Sequence, residues 1–391
     1  MGDIGRRRKH VTIFAQDAGS AKFLIPVMKQ IHRIEEAEST LFGHGPACTQ
    51  FSLADVPFIP LSPDKPFRYV DSKTWLHGVK PDLLICGASS MRPDPTNVNI
   101  LYAAKREKVE TMAFLDSWKA WDRFAGYGDR NRFFPDTLGV MDETAKAHLV
   151  RLGYPGNKIY VVGHPWLETI CDSQTFQRKD PLKIKRRLHI PRAVKVVSLV
   201  SQPLKGPIRY RSPQKYLSER RVGGLSLWRS ILGILERMAE RYQVSLCLLV
   251  RPHPRQMITG SSFKNGRDRV TVLWESTLSG DEIIVISDAM LGLDSIMLVE
   301  AMLMGKEVVT LNLEEFKIYQ DDIGIGHLGA IYGVNQLDEL ENRLETILFS
   351  NSPLKSDHRS NGRAGWRNST SNCLKLIQSR LSGAEQQGGA L

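Results

Sequence analysis

The stretch GLDSIMLVEAMLMGKEVV, residues Gly292–Val309, has the pattern of a capped helix followed by a strand. Asp294 or Ser295 stands directly in front of an apolar run, and both residue types cap helix N-termini. Gly305 is placed to end the helix before the β-branched residues of the next strand. Because the first backbone N–H groups of a helix have no partner within it, they can bind an anion. The pattern therefore predicts an anion-binding helix start.

Glu300 lies inside this predicted helix, between two apolar residues. A charged side chain in such a position is rarely buried without a partner. The carboxylate could accept hydrogen bonds from both hydroxyls of a ribose, which together with the anion site would hold a nucleotide. Alternatively, it could pair with a neighbouring cation, and the stretch would then be an ordinary capped helix.

Short apolar runs alternate with helical patterns along the rest of the chain. In the first half, strands are predicted at residues 10–16, 40–43, 82–86, 110–115, 137–141 and 159–162, and helices at 21–34, 97–106 and 143–152. In the second half, strands are predicted at 194–200, 244–250, 270–273, 283–286 and 307–311, and helices at 225–242, 295–304, 337–349 and 372–381. This alternation predicts parallel sheets with helices on both faces.

The alternation forms two sets with a break near residues 165–190. The expected fold class is therefore α/β, with two Rossmann-like, doubly wound domains facing a cleft. We assign residues 1–170 to an N-terminal acceptor domain and residues 171–350 to a C-terminal nucleotide-donor domain. Residues 351–381 are predicted to form a C-terminal helical segment, and residues 382–391 a disordered tail.

Residues that follow the strands are the candidates for a site, because ligands bind outside the carboxyl ends of the strands in such sheets. Small, polar or cationic residues recur there. They are Asp17, Gly19 and Asp116 in the first half, and Ser201, Gln202, Arg251 and His253 in the second. Two prolines hold the backbone around His253 extended and so aim its ring, which with Arg251 suits a phosphate. The alternative is a histidine satisfied within its own loop.

The second half resembles the donor-binding half of GT-B-fold nucleotide-sugar enzymes. The resemblance rests on the RPHP motif of residues 251–254, on the Asp288 region after it, and on the pattern G-x-x-S-x-x-x-x-E-A-x-x-x-G-K-x-V of residues 292–308. The families concerned include bacterial capsule and teichoic-type polymerases, polysialyltransferases and non-hydrolysing UDP-N-acetylglucosamine 2-epimerases. Residues 144–165 also resemble the run that precedes the interdomain linker of these enzymes.

The resemblance implies that His253 and Ser295 contact the donor phosphate, that Glu300 binds ribose, and that no metal or other cofactor is needed. Asp294 stands where many of these enzymes have serine, and it completes the donor-binding candidates. The implied activity is a glycosyltransferase that moves a sugar from a UDP or CDP/CMP-type donor to an acceptor hydroxyl. A nucleotide-sugar 2-epimerase-like enzyme and a non-catalytic nucleotide-binding protein are the alternatives. The acidic catalytic residues of the epimerases have no evident counterpart in the first half.

Sugar transfer needs a base for the acceptor hydroxyl, and the carboxylates behind the first-half strands are the candidates. Asp17 is the first choice and Asp116 the second, while Gly19 would let a ligand approach the backbone closely. Helix capping is the alternative role of Asp17. The aromatic-rich residues 118–134 form either an acceptor-recognition surface or a packed loop. The basic residues 204–221 form either a lid over an anionic donor or a solvated loop.

The composition is that of a globular protein, with 42% hydrophobic and 24% charged residues among 391. Lys and Arg number 53 against 42 Asp and Glu, a net charge of +11. This charge favours an anionic partner or is simply a solvated basic surface, and nucleic acid is not the expected partner. A glycan, a lipid-linked or a small-molecule acceptor, peripheral contact with an anionic membrane and the oligomeric state are left open.

The expected location is the cytoplasm. The five Cys show no paired spacing that would indicate disulfides or zinc, which fits a reducing compartment. Cys86 and Cys247 lie in apolar runs, where Cys behaves as a small buried hydrophobe. No apolar stretch in the sequence approaches the roughly 18–20 residues that span a bilayer.

Overall fold

The structure is a computed structural model that describes residues 7–61, 65–89, 94–118, 123–124, 133–172, 179–201, 225–252, 269–313, 325–328, 331–350 and 365–383. The chain divides into two compact units. The first consists of Met1–Thr169 together with Arg363–Leu391, and the second of Ile170–Gly362. Within the described residues, each unit contains one parallel β-sheet.

Seven strands form the sheet of the first unit, in the order β3-β2-β1-β4-β5-β6-β7. They are β1 (Lys9–Ala15), β2 (Ala37–Gly43), β3 (Ile59–Pro60), β4 (Leu83–Gly87), β5 (Glu110–Phe114), β6 (Thr137–Val140) and β7 (Ile159–Val161). The helices of this part of the chain are α1 (Ala18–Gln30), α2 (Pro46–Leu53), α3 (Tyr69–Val79), α4 (Thr96–Arg106), α5 (Glu143–Arg151) and α6 (Pro165–Asp172). Strands β4 and β6 are buried along their whole length, as expected for parallel strands covered on both faces.

Six strands form the sheet of the second unit, in the order β10-β9-β8-β11-β12-β13. They are β8 (Lys195–Val200), β9 (Leu246–Arg251), β10 (Val270–Trp274), β11 (Ala289–Gly292), β12 (Glu307–Leu311) and β13 (Tyr332–Val334). The helices are α7 (Pro181–Arg187), α8 (Leu225–Tyr242), α9 (Gly280–Ile286), α10 (Ile296–Leu303) and α11 (Leu337–Phe349). The strand order reverses between β1 and β4 in the first sheet and between β8 and β11 in the second, and ligands bind at such reversals.

The predicted α/β fold with two Rossmann-like domains is confirmed, since both sheets are parallel and their strands alternate with helices. Most predicted strands and helices coincide with observed ones to within a few residues. The sequence patterns missed α2, α3, α6, α7, β3, β11 and β13. Cys86 and Cys247 are buried in strands, as expected, and burial raises the pKa of the Cys247 thiol to about 12.

The prediction of a strand at residues 283–286 is wrong, because these residues lie in α9. Ser279 and Glu282 form a capping box at the start of this helix, with the Ser279 N–H donating to Oε2 of Glu282 at 2.9 Å. The strand of this region is β11, so Asp288 precedes a strand instead of ending one. Its carboxylate accepts a hydrogen bond from the N–H of Val196 at 2.8 Å. Asp288 therefore lies at the amino edge of the sheet, away from the ligand edge.

The C-terminal helix α12 (Ser369–Leu381) belongs to the first unit, although it follows the second in the chain. Cys373, Leu376 and Ile377 are completely buried in the apolar core that contains α1. The predicted tail falls largely in residues 384–391, which lie outside the described part of the chain. None of the helices that the structure describes combines the length and apolar composition needed to cross a membrane.

Candidate functional site

Ser295 caps α10 at the carboxyl edge of the second sheet. Its backbone is extended, and its hydroxyl accepts a hydrogen bond from the N–H of Met297 at 3.3 Å. Gly292 ends β11 just before it. A Cβ at Gly292 would come within 3.0 Å of Leu298 and 3.2 Å of the Val200 carbonyl oxygen, so the absence of a side chain lets the chain turn tightly there. The start of α10 is thereby held beside the end of β8, at the reversal of the strand order.

The Asp294 carboxylate, just before α10, forms a hydrogen bond within the protein. Oδ1 accepts a hydrogen bond from the N–H of Ile325 at 3.1 Å, at the start of a short 3-10 helix, Ile325–Leu328. The dipole of this N–H offsets part of the repulsion between the carboxylate and a phosphate at the start of α10. Asp294 fixes the loop before the helix, and its assignment to donor binding stays a prediction.

Glu300 is buried inside α10, with 3% of the residue exposed. Its carboxylate lies towards the start of α9, since a Cβ at Gly280 would be 3.8 Å from Oε2 of Glu300. The small residue at position 280 leaves room on this side of the carboxylate. The structure therefore places the acid near the ligand edge of the second sheet, in the unit that contains Ser295.

Arg251 and Ser201 meet at the same edge. The Ser201 N–H donates to the Arg251 carbonyl oxygen at 2.9 Å. The guanidinium of Arg251 donates from Nη1 to the carbonyl oxygens of Leu278 (2.8 Å) and Glu275 (3.3 Å). Burial lowers the pKa of Arg251, an effect that the charge of Glu275 opposes. The Arg251 side chain thus shapes the loop after β10, and its remaining N–H groups are the ones that a phosphate could use.

Two donor-binding candidates of the sequence analysis, Gln202 and His253, lie outside the described residues. Their roles stay predictions, as does the role of the basic residues 204–221. Among the described candidates of the second unit, Ser201 and Arg251 are in direct contact, and Ser295 follows a strand that pairs with β8.

Asp17, Gly19 and Asp116 are brought together at the ligand edge of the first sheet. Asp17 occupies the N-cap position of α1, but its carboxylate does not cap the described helix, contrary to the alternative role considered for it. A Cβ at Gly19 would collide with Oδ2 of Asp116. Glycine at this position therefore lets the Asp116 carboxylate lie against the first turn of α1.

The Asp116 carboxyl is buried and paired with a cation. Nη1 of Arg123 lies 2.9 Å from its Oδ1 and also donates to the carbonyl oxygen of Ala88. Burial raises the pKa of Asp116, and the charge of Asp17 adds to this rise while Arg123 opposes it. A buried carboxyl with a raised pKa next to a second carboxylate is the arrangement found in many acid–base sites. Sequence reasoning had no means of linking Arg123 to Asp116.

The aromatic residues described within positions 118–134 are packed in the interior. They are Trp118, Phe124, Phe133 and Phe134, each less than 5% exposed. The indole N–H of Trp118 donates to Oδ2 of Asp142 at 2.7 Å. These rings therefore stabilise the first unit and do not offer a stacking surface for a sugar, which favours the packed-loop alternative for them. Residues 119–122 and 125–132 lie outside the described part.

A metal site is not evident in the part of the chain that the structure describes, where no group of three or more His, Cys, Asp or Glu side chains could hold an ion. The charged groups on which chemistry could depend are instead the Asp17–Asp116 pair in the first unit and Arg251 and Glu300 in the second.

No family model and no curated protein matches the sequence. Solved structures resemble the whole chain. The UDP-GlcNAc 2-epimerase of Neisseria meningitidis, bound to UDP-GlcNAc, is 13% identical, with a TM-score of 0.59 over 96% of this chain and 100% of that one. For the Methanocaldococcus jannaschii UDP-GlcNAc 2-epimerase the values are 13%, 0.62, 94% and 99%. For a glycosyltransferase from Rickettsia africae they are 12%, 0.54, 97% and 98%. At these identities the similarity establishes the fold, which is the GT-B fold that the sequence resemblance implied.

Proposed function

We propose that this protein is a nucleotide-sugar enzyme that transfers a sugar from a UDP or CDP/CMP-type donor to an acceptor hydroxyl. The observation that carries the proposal is the buried Glu300 within α10, five residues behind the capping Ser295. An acid at this place can bind the two hydroxyls of a ribose, while the start of the same helix receives the phosphates. The Neisseria meningitidis structure, which contains UDP-GlcNAc in the same fold, supports this choice of ligand.

The second unit would stabilise the departing nucleotide without a metal. Negative charge that develops on the phosphate is favourable near the positive end of the α10 dipole, where backbone N–H groups are available. Ser295 and the free N–H groups of Arg251 would supply further hydrogen bonds. Because Asp294 is bound to the Ile325 N–H, its carboxylate opposes this site less than an unpaired acid would.

The first unit would supply the base. Asp17 and Asp116 are close enough for one charge to raise the pKa of the other carboxyl, so we treat them as a pair that accepts the proton of the acceptor hydroxyl. Arg123 would hold the Asp116 carboxyl in position through its 2.9 Å hydrogen bond. Replacement of either acid by asparagine should then reduce turnover without abolishing nucleotide binding.

A 2-epimerase-like activity is the second candidate, favoured by the same pair of acids. Removal of a proton from a sugar carbon and its return to the opposite face require acid and base groups, and the pKa of Asp116 is raised as such chemistry needs. Product analysis separates the two activities: transfer consumes an acceptor, whereas epimerisation yields an isomeric nucleotide sugar without one. Nucleotide binding with no turnover of any nucleotide sugar would instead favour a non-catalytic binding protein.

Calorimetry with UDP, CDP and GDP tests the donor site. We expect one of them to bind, and Glu300→Ala to weaken that binding roughly tenfold or more, because both ribose hydroxyls lose their acceptor. His253→Ala should weaken it as well. Glu240→Ala is the matched control, since Glu240 is exposed on α8 of the same unit. The proposal is wrong if the wild-type protein binds none of the three nucleotides.

A further inference from the structure

Gln16, His44, Asp94 and Asn97 form a hydrogen-bonded cluster that the chemistry above does not use. Gln16 follows β1, His44 follows β2, Asp94 lies two residues before α4, and Asn97 lies in the first turn of that helix. The Gln16 side chain donates to the Asp94 carbonyl oxygen at 3.0 Å and accepts from the Asn97 N–H at 2.9 Å. The cluster therefore joins distant parts of the chain at the ligand edge of the first sheet, beside the reversal between β1 and β4.

His44 and Asp94 form a close pair within this cluster. Nε2 of His44 is 2.8 Å from Oδ2 of Asp94, and Thr96 donates its N–H and its hydroxyl to Oδ1 at 2.9 and 2.6 Å. Burial works against ionisation of Asp94, but the hydrogen bonds from His44 and Thr96 outweigh it and lower the pKa. Because a charged carboxylate can only accept, Nε2 carries a hydrogen. In the neutral ring, Nδ1 is then an acceptor.

Two acceptor atoms of the cluster are buried without a hydrogen-bond partner among the described residues. They are Nδ1 of His44, whose side chain is 4% exposed, and the side-chain oxygen of Asn97. Oγ of Ser89, which comes shortly after β4 at the same edge, is a third such atom. Buried polar groups are nearly always hydrogen-bonded in native proteins. These three unsatisfied polar atoms lie on segments that follow β2, follow β4 or begin α4, all at the ligand edge, and they indicate a ligand that supplies hydrogen-bond donors.

We propose that this cluster is a subsite for a neutral, hydroxyl-bearing ligand, whose hydroxyls donate to Nδ1 of His44 and to the side-chain oxygen of Asn97. A phosphate offers acceptors and negative charge, and both are unfavourable next to these atoms and Asp94. The Ser89 hydroxyl can donate as well as accept and so complement a hydroxyl in either role. The Asp94 side chain, which is 24% exposed, is the member of the cluster that solvent reaches. The ligand class is therefore a polyol or a sugar.

The identification of this ligand as the acceptor rests on the proposed function, whereas the subsite itself does not. The full chain, labelled with ¹⁵N-histidine, would be titrated with glycerol, glucose, galactose and N-acetylglucosamine, and separately with inorganic phosphate. A hydrogen bond to Nδ1 should move the His44 ring resonance, which is assigned by its disappearance in His44→Gln. We expect at least one polyol to move it saturably and phosphate to leave it in place. A shift caused by phosphate, or the absence of a shift with every polyol, would overturn the proposal.

Substitutions in the cluster test the same polyol binding independently, through its affinity. Asn97→Ala and His44→Gln should each weaken the binding of the responding polyol roughly tenfold. The matched control is His77→Gln, because Nε2 of His77 is also 2.8 Å from a carboxylate oxygen, that of Glu107, but this pair lies on the surface at the opposite edge. An equal loss in this control would contradict the assignment.

UDP titrations of the same samples distinguish the two proposals. The cluster variants should bind UDP as the wild-type protein does. Loss of polyol binding with intact UDP binding locates the subsite in the cluster. If UDP, CDP and GDP all fail to bind to every one of these proteins while polyols still bind, the proposed function fails and the subsite stands.

Discussion

His164 should control the acid stability of the first unit. Its ring is buried against Phe23, with the ring centres 4.9 Å apart, and burial lowers the pKa of the imidazole to about 3. The unfolded chain takes up this proton near pH 6.5, as an ordinary histidine does. The stabilisation from keeping the ring neutral is therefore complete above about pH 6.5. It is lost as the pH falls towards 3, by about 1.4 kcal/mol per pH unit.

Replacement by glutamine should remove this dependence. Between pH 6.5 and 4.5, we expect the free energy of unfolding of the first unit to fall by about 2–3 kcal/mol more in the wild-type protein than in His164→Gln. Denaturant titrations at a series of pH values, with hydrogen-exchange mass spectrometry to separate the units, measure this difference. His32→Gln, at an exposed position, should behave like the wild type. Parallel pH profiles for wild type and His164→Gln would contradict the prediction.

Residues whose role is local could be identified from the sequence, and residues whose role depends on distant contacts could not. Ser295 was found because a cap and its helix are adjacent in the chain, and the structure shows this cap. The His44–Asp94 pair joins residues 50 positions apart, and it exists because β1, β2 and β4 are neighbours in the sheet. The order of residues alone does not specify that neighbourhood. Arg123 and Asp116 are only seven positions apart, but the sequence between them has no helical or strand periodicity that would bring their side chains together.

At the scale of single elements, Gly163 should be essential for the docking of α12. Gly153 and Gly163 both have positive φ, +88° and +83°, so alanine at either costs about 1–2 kcal/mol. Among the described residues, no atom other than those of the chain neighbours lies within 4 Å of a Cβ at Gly153, whereas a Cβ at Gly163 would collide with Ser369, the first residue of α12. Gly163→Ala should therefore destabilise the first unit by roughly 1–3 kcal/mol more than Gly153→Ala.

Chemical denaturation of the two variants measures this difference, and Gly153→Ala is the control for backbone strain alone. In a Ser369→Gly background the excess cost of Gly163→Ala should shrink, because the colliding side chain is gone. An equal cost for both glycines would show that α12 does not press on residue 163.

Element types were predictable where a run was long or clearly periodic, as for α8, whose predicted and observed limits coincide. The run Ile283–Ile286 was too short for its periodicity to separate a strand from a helix. The capping box of Ser279 and Glu282 was the local signal that identifies it as a helix. Once these residues are helical, the next apolar run, β11, must be the strand beside β8. The wrong assignment of residues 283–286 therefore misplaced the strand that ends at the ligand edge of the second sheet.

At the scale of the whole molecule, alternation of strands and helices was sufficient to predict two Rossmann-like domains. It could not predict which sheet the C-terminal helix covers, because an amphipathic helix can pack on any complementary apolar surface. The polar contacts that select the first unit are specific. The Thr370 N–H and hydroxyl donate to Oε2 of Glu168 at 2.8 and 2.6 Å, and Arg380 donates to the Tyr160 hydroxyl at 2.6 Å.

Truncation after Ser350 should consequently unfold the first unit and spare the second, although the second is nearer in sequence. Loss of α12 removes several fully buried side chains, among them Leu376 and Ile377, from the core around α1. Each deletion of this kind costs about 2–5 kcal/mol, and domains have only about 5–15 kcal/mol of stability. Hydrogen-exchange mass spectrometry should show lost protection in β1, β4 and β5 and retained protection in β8, β9 and β11. Truncation after Gly383 is the control, because it retains α12 and should leave both sheets protected. If truncation after Ser350 removed protection only from the second sheet, the assignment of α12 to the first unit would be wrong.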